Sequence, residues 1–327
     1  MIDFCILGSG VAGSTIANLI SKKYKVLVVD KARGPGGRAS HKRYKKSLSF
    51  DHGVQYITPK TKNFKKFIQN LNKKNILKIW SGQHLDFTFK ENIGIKYIGK
   101  RANNDICKHQ LKQVKQLYLS NIIKINRHKH FWEITLKNKK KYQFRSLILT
   151  CPYPQLIKLA KKYLNKKLLN LNVKMQPNMT AMFVVKNHVK FPISSIRTNT
   201  EITTWIANEN SKKRFKSTLG LWTLQSSNNW ARTIINIYKK KPKLIKSTLK
   251  TEFCKLTGFK KNEIIFSNIH GWKYSYNFKK TNLTSYWNKK NSLGVCADWF
   301  LGPKVEDAWN SASDLYKKIK KNPPINK

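Results

Sequence analysis

Acidic residues are scarce. Fifteen Asp and Glu stand against 66 Lys and Arg in 327 residues, a formal net charge of +51. Cysteine is sparse as well: Cys5, Cys107, Cys151, Cys254 and Cys296 are widely spaced, odd in number and form no C-x-x-C pair. That argues against a disulfide framework and a zinc ribbon, and implies reduced thiols in a cytoplasmic protein. The eight histidines do not cluster. His128 and His130 flank one lysine with no carboxylate or cysteine at ligand spacing, so a surface strand is expected there and no metal site anywhere. No apolar run approaches the ~20 residues that span a bilayer, so no membrane span is expected. The apolar start, Ile2 to Leu7, leads straight into glycines and reads as a first β-strand, not a signal peptide. No internal repeat and no Pro/Gly/Ser-rich linker divides the chain, which favours interleaved parts over successive beads.

A charge of this size would by itself suggest nucleic acid or an anionic membrane as partner. Its distribution argues otherwise. Short basic runs (Lys22-Lys23, Lys45-Lys46, Lys65-Lys66, Lys139-Lys140-Lys141, Lys212-Lys213-Arg214, Lys239-Lys240-Lys241, Lys317-Lys318) are spread over the whole length with no nucleic-acid module beside them. They are read as solvated surface, and no specific nucleic-acid partner is expected. Lysine is abundant together with asparagine and isoleucine, as an A+T-rich coding bias would produce. The mean hydropathy of −0.54 coexists with 40% hydrophobic residues, enough for a sizeable core. The basic field raises the local concentration of anionic small molecules and disfavours cationic ones.

Against this background one stretch carries chemistry. Residues 3–7 predict a buried strand, Gly8 to Gly13 a turn, Val11 to Ser21 a helix, and Lys25 to Val29 a β-branched strand ending at Asp30. Gly8-Ser9-Gly10-Val11-Ala12-Gly13 is therefore a G-x-G-x-x-G in a βαβ unit with an acid about 20 residues on. Gly8 permits the tight turn. Gly10 lets backbone approach a pyrophosphate, and Gly13 lets helix and strand pack closely. The helix start offers free N–H groups to phosphate, and Asp30 suits the ribose hydroxyls of an adenosine. This much fits NAD and FAD equally.

Further along, residues 60–80 predict a helix with Phe64, Phe67, Ile68 and Leu71 on one face, and 84–98 an antiparallel strand pair from the alternation of Leu85, Phe87 and Phe89. Cys107 to Leu117 predicts a helix. Ile122 to Ile125, Phe131 to Leu136 and Tyr142 to Phe144 predict a meander, leading to a short buried strand at Leu147 to Thr150. Thr180 to Val185 and Thr218 to Gln225 predict strands, Pro242 to Leu256 a helix, 293–298 a last buried strand, Val305 to Ile319 a last helix, and "KKNPPINK" a polar tail.

The residues just after Asp30 separate the two cofactors. Asp30-Lys31-Ala32-Arg33-Gly34-Pro35-Gly36-Gly37-Arg38 resembles the second glycine motif of the flavin amine oxidase superfamily, in which Lys31, Gly36, Gly37 and Arg38 would line the FAD pyrophosphate. Arg38 offers a bidentate fork for phosphate oxygens. Phe50-Asp51-His52-Gly53-Val54-Gln55-Tyr56-Ile57-Thr58 resembles the D-x-G-A-Q-Y-x-T segment of renalase and its bacterial relatives. Leu147 to Pro154 resembles their strand followed by P-x-P, and Gly294-Val295-Cys296-Ala297-Asp298-Trp299-Phe300-Leu301-Gly302 with Val305-Glu306-Asp307-Ala308 resembles their C-terminal G-D-W-L-G…V-E-G-A. The matches lie in order along nearly the whole chain.

The resemblance implies an α/β fold: an FAD-binding Rossmann-type domain (1–60, 100–155 and 265–327) interleaved with a smaller α+β substrate domain (61–99 and 156–264) carrying a mixed sheet over the flavin. It implies FAD, non-covalently bound, touched by Ala12, Arg38, Gln55 and Tyr56, by the backbone of Ile122 at the adenine, by Asp298 at the ribityl chain, and by the helix start at Val305, whose partial positive charge would favour an anionic reduced flavin. Asp298 could instead cap that helix, and Ile122 could be core. Trp272, with Tyr274 where histidine is common and Gln225 near another such position, is implied at the catalytic face. Asp307 and Ser311-Ala312 depart from the family pattern, and Asp307 would raise the cost of reducing the flavin while favouring the helix.

The activity implied is oxidation of isomeric dihydronicotinamide dinucleotides, with hydride passing to flavin N5 and O2 returning as hydrogen peroxide. The dihydropyridine nitrogen expels the hydride, so no strong base is needed, and aromatic walls such as Tyr56, Trp272 and Tyr274 suit a flat ring. The competing expectations are a flavin amine oxidase or desaturase-like enzyme, and a flavin-free basic scaffold for nucleic acid.

Overall fold

The computed structural model describes residues 1–45, 47–187 and 192–324. Lys46 of the second basic run and the end of the polar tail lie outside the described residues. From the amino end come β1 (Ile2–Leu7), α1 (Val11–Ile20), β2 (Val26–Val29), β3 (Lys42–Arg43), β4 (Ser49–Phe50), α2 (Lys62–Lys73), β5 (Leu77–Ile79), β6 (His84–Leu85) and β7 (Tyr97–Gly99). Next are α3 (Asp105–Gln110), β8 (Lys115–Leu117), β9 (Ile122–Arg127), β10 (Trp132–Leu136), β11 (Lys141–Leu149), α4 (Tyr153–Ala160), α5 (Lys166–Leu169), β12 (Gln176–Val185) and β13 (Ser195–Arg197). The rest is β14 (Thr203–Asn208), β15 (Gly220–Ser226), α6 (Asn228–Ile234), α7 (Pro242–Thr257), β16 (Ile264–Tyr276), β17 (Tyr286–Asn288), β18 (Leu293–Val295) and α8 (Val305–Lys321).

Short apolar strands build the first sheet. Its parallel centre runs β18-β11-β1-β2-β8, with β17 antiparallel at one edge. Phe4, Ile6, Val26, Val28 and Ile148 face one core, shared with α1, α2 and α8. Cys5, Leu7, Leu27, Val29, Leu147 and Leu149 face the other, under the β9–β10–β11 meander and Trp299. Both faces are covered, which is why these strands read as unbroken apolar runs. The fold class expected from the sequence is observed. Among the described residues no helix is long and apolar enough to cross a membrane.

The second sheet runs β16-β12-β15-β14-β13-β6, antiparallel except for the β13–β6 edge. Met179, Ala181, Phe183 and Val185 point to α6 and α7, which close an apolar core. The opposite face, carrying Thr180, Gln225, Trp205 and His270 in one cross-strand row, points toward the first sheet's turns. α7 starts with Pro242 at its first turn and ends at Gly258 with φ +73°, the usual pairing of a proline start and a left-handed stop.

Several expectations are corrected. The helix expected over 60–80 ends at Lys73, and 77–79 is a strand paired with 97–99. Of the pair expected in 84–98, residues 84–85 form β6 with a Leu85–Glu91 bridge, and 97–98 belong to β7. Phe87 and Phe89 are exposed, and Phe89 turns at φ +60°, so their alternation marks a loop. The helix expected over 107–117 splits into α3 and β8. Residues 142–144 and 147–149 belong to one strand, and 128–131 is a turn. β16 (Ile264–Tyr276) pairs with β12 in the second sheet.

Candidate functional site

The glycine turns come first. Gly8 adopts φ +110°, and a Cβ there would lie 2.5 Å from Thr150 Oγ1. A Cβ on Gly13 would lie 1.9 Å from the Gly8 carbonyl oxygen, so α1 can start this close to β1 only without one. Gly10 differs. Its backbone is extended, and an added Cβ would meet nothing nearer than 3.8 Å. The space above it is left open, which is what a ligand approaching backbone requires. α1 has no side-chain cap and no acid in its first turn although Val11, Ala12 and Gly13 are buried. A buried helix start with orphan N–H groups calls for an anion. The residues therefore fit a dinucleotide pyrophosphate.

The second turn lies against the first. Gly10 bridges to Gly36, and Gly36 donates its N–H to the Ser9 carbonyl at 3.0 Å. Asn104 Nδ2 holds the Pro35 carbonyl at 2.8 Å, while its buried Oδ1 has no partner. Gly36 and Gly37 both have positive φ. Asp30 accepts from Ser9 N–H at 2.7 Å, Ser9 Oγ at 2.6 Å and Ala32 N–H at 2.9 Å, so its carboxylate also locks the loop to which a ribose would bind. Lys31 is exposed beside it. Tyr118, which sequence reasoning missed, sits at the same end, its hydroxyl pushed up to about 12 by burial and by Asp30. Ile122 opens β9 two residues after Ser120, whose N–H donates to the Asp30 carbonyl, and it packs against the second core.

Arg38 ties three elements together. Its guanidinium donates to the Ser275 carbonyl on β16 at 2.6 Å and to Asp298 Oδ1 at 2.5 Å. Asp298 does not cap the last helix. Asp307 does, accepting from Lys304 N–H at 2.8 Å, and burial raises its pKa. Val305 is the first residue of α8, buried against the first core. The neighbouring Glu306 accepts from the N–H groups of Lys60 and Thr61 at 2.7 Å each, joining the start of α8 to that of α2.

Segment 51–56 crosses this turn. A Cβ on Gly53 would lie 1.9 Å from the Arg38 carbonyl oxygen, and Val54 N–H donates to that same carbonyl at 2.9 Å. From the second sheet, Thr180 Oγ1 and Trp272 Nε1 both donate to the His52 carbonyl at 2.9 Å, and Gln225 Nε2 donates to the Gly53 carbonyl at 2.6 Å. Trp272 and Gln225 are thus brought to one strip, each half-buried. Tyr274 lies two residues further on, with Lys273 5.9 Å from its ring. Tyr56 packs on Trp205, with ring centroids 5.5 Å apart.

Below the strip lies a charge cluster that the sequence concealed. Lys212 and Arg214, read above as part of a solvated basic run, have side chains 0% and 4% exposed. Only Lys213 between them is exposed. Lys212 Nζ bonds Asp51 at 2.8 Å and Glu209 at 2.9 Å, reaches Gln55 Oε1 at 3.4 Å, and stands 5.0 Å from the centre of the Trp80 ring. Arg214 bonds Asp51, the Gly99 carbonyl and Asn103. Burial alone would raise Asp51, but Arg214 and Lys212 override it and hold its carboxyl at about 2. Glu209 is raised by burial. Two acids and two bases, drawn from two distant segments, fix Asp51 and orient Gln55. An acid at Asp51, inside a D-x-G motif of so basic a chain, was the available signal.

Burial, reinforced by His270, pushes His52 down to about 3, and burial lowers His270 as well. The two rings are 4.9 Å apart. They are neutral near pH 7 and supply no cation to the strip.

Residues 6–71 match the family model described as an NAD(P)-binding Rossmann-like domain. Among solved structures the chain is similar to a protein from Exiguobacterium sp. 255-15 assigned as a protoporphyrinogen oxidase (TM-score 0.73, 9% identity, covering 98% of this chain and 99% of that one). It is equally similar to wild-type putrescine oxidase bound to putrescine (TM-score 0.72, 9% identity, 98% and 99%). At such identity the likeness defines the fold alone, one shared with these two oxidases, and residues 6–71 match a Rossmann-like dinucleotide-binding domain.

Three outcomes are expected. Gly10→Ala leaves the melting temperature of cofactor-free protein nearly unchanged but abolishes most of the rise on adding FAD, whereas Gly13→Ala lowers the melting temperature by itself; differential scanning fluorimetry reads both. Lys212→Met leaves Asp51 and Glu209 without their shared cation and costs about 3–5 kcal/mol in urea unfolding. Stability falls as pH drops from about 6.5 toward 3, because the unfolded chain binds the proton that folded His52 refuses. His52→Phe shallows that decline in urea titrations at stepped pH.

Proposed function

We propose that the protein is an FAD-dependent oxidoreductase of renalase-like type, oxidising isomeric dihydronicotinamide dinucleotides with O2 as acceptor in the cytoplasm. The observation that carries this reading is the meeting at Arg38 of the three stretches that resemble the family: the glycine turn 34–38, the segment 50–58 and the residues around Asp298. The open backbone at Gly10, the uncapped start of α1 and the Arg38–Asp298 pair would hold FAD without a covalent bond. Bound FAD supplies the two-electron acceptor for a hydride and the means to reduce oxygen.

The chain's own residues would bind and orient. Trp272, fixed through its indole N–H, and Tyr56, fixed on Trp205, offer flat walls to a planar ring. Gln225 holds the Gly53 carbonyl and keeps the strip in register. The site needs no general base for a dihydropyridine, and neutral His52 and His270 are consistent with that.

A second reading, oxidation of an amine, is favoured by the fold shared with putrescine oxidase. The +51 charge opposes it, since a cationic substrate would be repelled.

The test is anaerobic. Purified holoprotein is mixed with ordinary NADH, its two- and six-position isomers, and putrescine while the flavin band is followed. Rapid bleaching by an isomer alone, with peroxide appearing on admitting air, is the expected result. Bleaching by putrescine alone overturns the proposal and installs the amine reading.

A further inference from the structure

The cross-strand row on the second sheet runs His270, Thr180, Gln225, Trp205 and Arg197. Its Arg197 end is electrically unbalanced. Arg197 is exposed, with its guanidinium 5.7 Å from the centre of the Trp205 ring. Trp205 is only 6% exposed, yet its Nε1–H is buried without a hydrogen-bond partner. Tyr56 packs on Trp205, and Lys96 Nζ stands 5.7 Å from the Tyr56 ring. Lys96 is itself buried and bonds the carbonyls of Asn92 and Gly94. Among the described residues neither Lys96 nor Arg197 has a carboxylate at ion-pair distance. Burial pushes the Lys96 ammonium down and Arg197 adds to the effect, with Glu91 opposing.

Two cations without an ion-pair partner and one orphan donor thus flank the Tyr56–Trp205 pair. A buried donor left unpaired is costly, and Arg197 acts on the Lys96 ammonium as a like charge. An anion beside the Tyr56–Trp205 pair would lower both costs. We propose that this corner binds a phosphate group of the substrate, whose reacting ring lies further along the same row at Gln225, with Trp272 beside it on the same strip. Two strand spacings separate Gln225 from Arg197, about 10 Å. That span suits a ribose joining a nicotinamide ring to its diphosphate. The inference rests on the proposed function for the identity of the ring; the phosphate corner itself is tested without turnover.

The probe is ADP-ribose, added to holoprotein in the presence of excess FAD and followed by tryptophan emission and by calorimetry, with adenosine as the uncharged comparison. ADP-ribose is expected to bind and adenosine not. Arg197→Met and Lys96→Met each weaken ADP-ribose about tenfold. Trp205→Phe keeps the ring, weakens binding and removes the emission change. Arg197→Lys retains part of the affinity. Lys124→Met, an exposed change on β9 remote from the row, leaves binding unaltered. Equal weakening by Lys124→Met and Arg197→Met, or wild-type affinity in both Arg197→Met and Lys96→Met, overturns the proposal and assigns the binding to the general basic field. Isomers that fail to bleach the flavin while ADP-ribose binding still depends on Arg197 would remove the reaction and leave the corner standing.

Discussion

The crossing of segment 51–56 over the Arg38 carbonyl is the constraint on which the rest of the site depends. It allows no side chain at Gly53, and it brings backbone from two distant turns into direct hydrogen bonding. Once that contact exists, every neighbouring carbonyl becomes an anchor. The second sheet hangs from His52 and Gly53 through Thr180, Trp272 and Gln225, while Asn103 holds the carbonyls of Val54 and Gln55 from the other side. The sheet that would cover a flavin is thus aligned on main chain rather than on side-chain packing alone. Main-chain anchors move less than rotamers, and hydride transfer tolerates little misplacement.

The buried ion cluster fixes the same segment from below. Desolvating four charged groups is expensive, and an apolar replacement of equal volume could be as stable. What charges add is selectivity of register: Asp51 is satisfied only when Lys212 and Arg214 arrive together, with Lys213 between them turned to solvent. The turn that achieves this is a short 3-10 segment ending at Lys213 in the left-handed region, φ 48°. Asp51 stays ionised because two cations outweigh its burial, and Glu209 is the member whose ionisation burial opposes.

Much of the first sheet was legible because its signals are local. A G-x-G-x-x-G between an apolar strand and a helix, with β-branched residues and an acid beyond it, needs no tertiary information to interpret. The same holds for α7 and α8, whose apolar periodicity extends over several turns. Lys212 and Arg214 were illegible for the opposite reason: in a chain with 66 basic residues a K-K-R triplet looks like any other, and its acid partners lie three residues away in Glu209 and about 160 away in Asp51. Phe87 and Phe89 misled because alternation in a loop exposed to water looks like alternation in a strand. Asp307 has a plain local task, since it accepts the Lys304 N–H at the start of the last helix. Asp298 was readable as important, but not as the partner of Arg38, since nothing in either neighbourhood points 260 residues along the chain.

That separation has a consequence for the life of the polypeptide. The glycine loop emerges from the ribosome early, but β11 and β18, which extend the sheet outward from β1, and Asp298, which holds Arg38, are made much later. At ordinary elongation rates of roughly 5–20 residues per second, the nascent chain spends many seconds with a half-built cradle. Its hydrophobic strands wait beside a strongly cationic, mutually repelling surface that keeps neighbouring chains apart. The cradle that the two glycine turns begin is therefore closed only when the chain is nearly finished, so any ligand that needs the Arg38–Asp298 pair would bind after synthesis rather than during it.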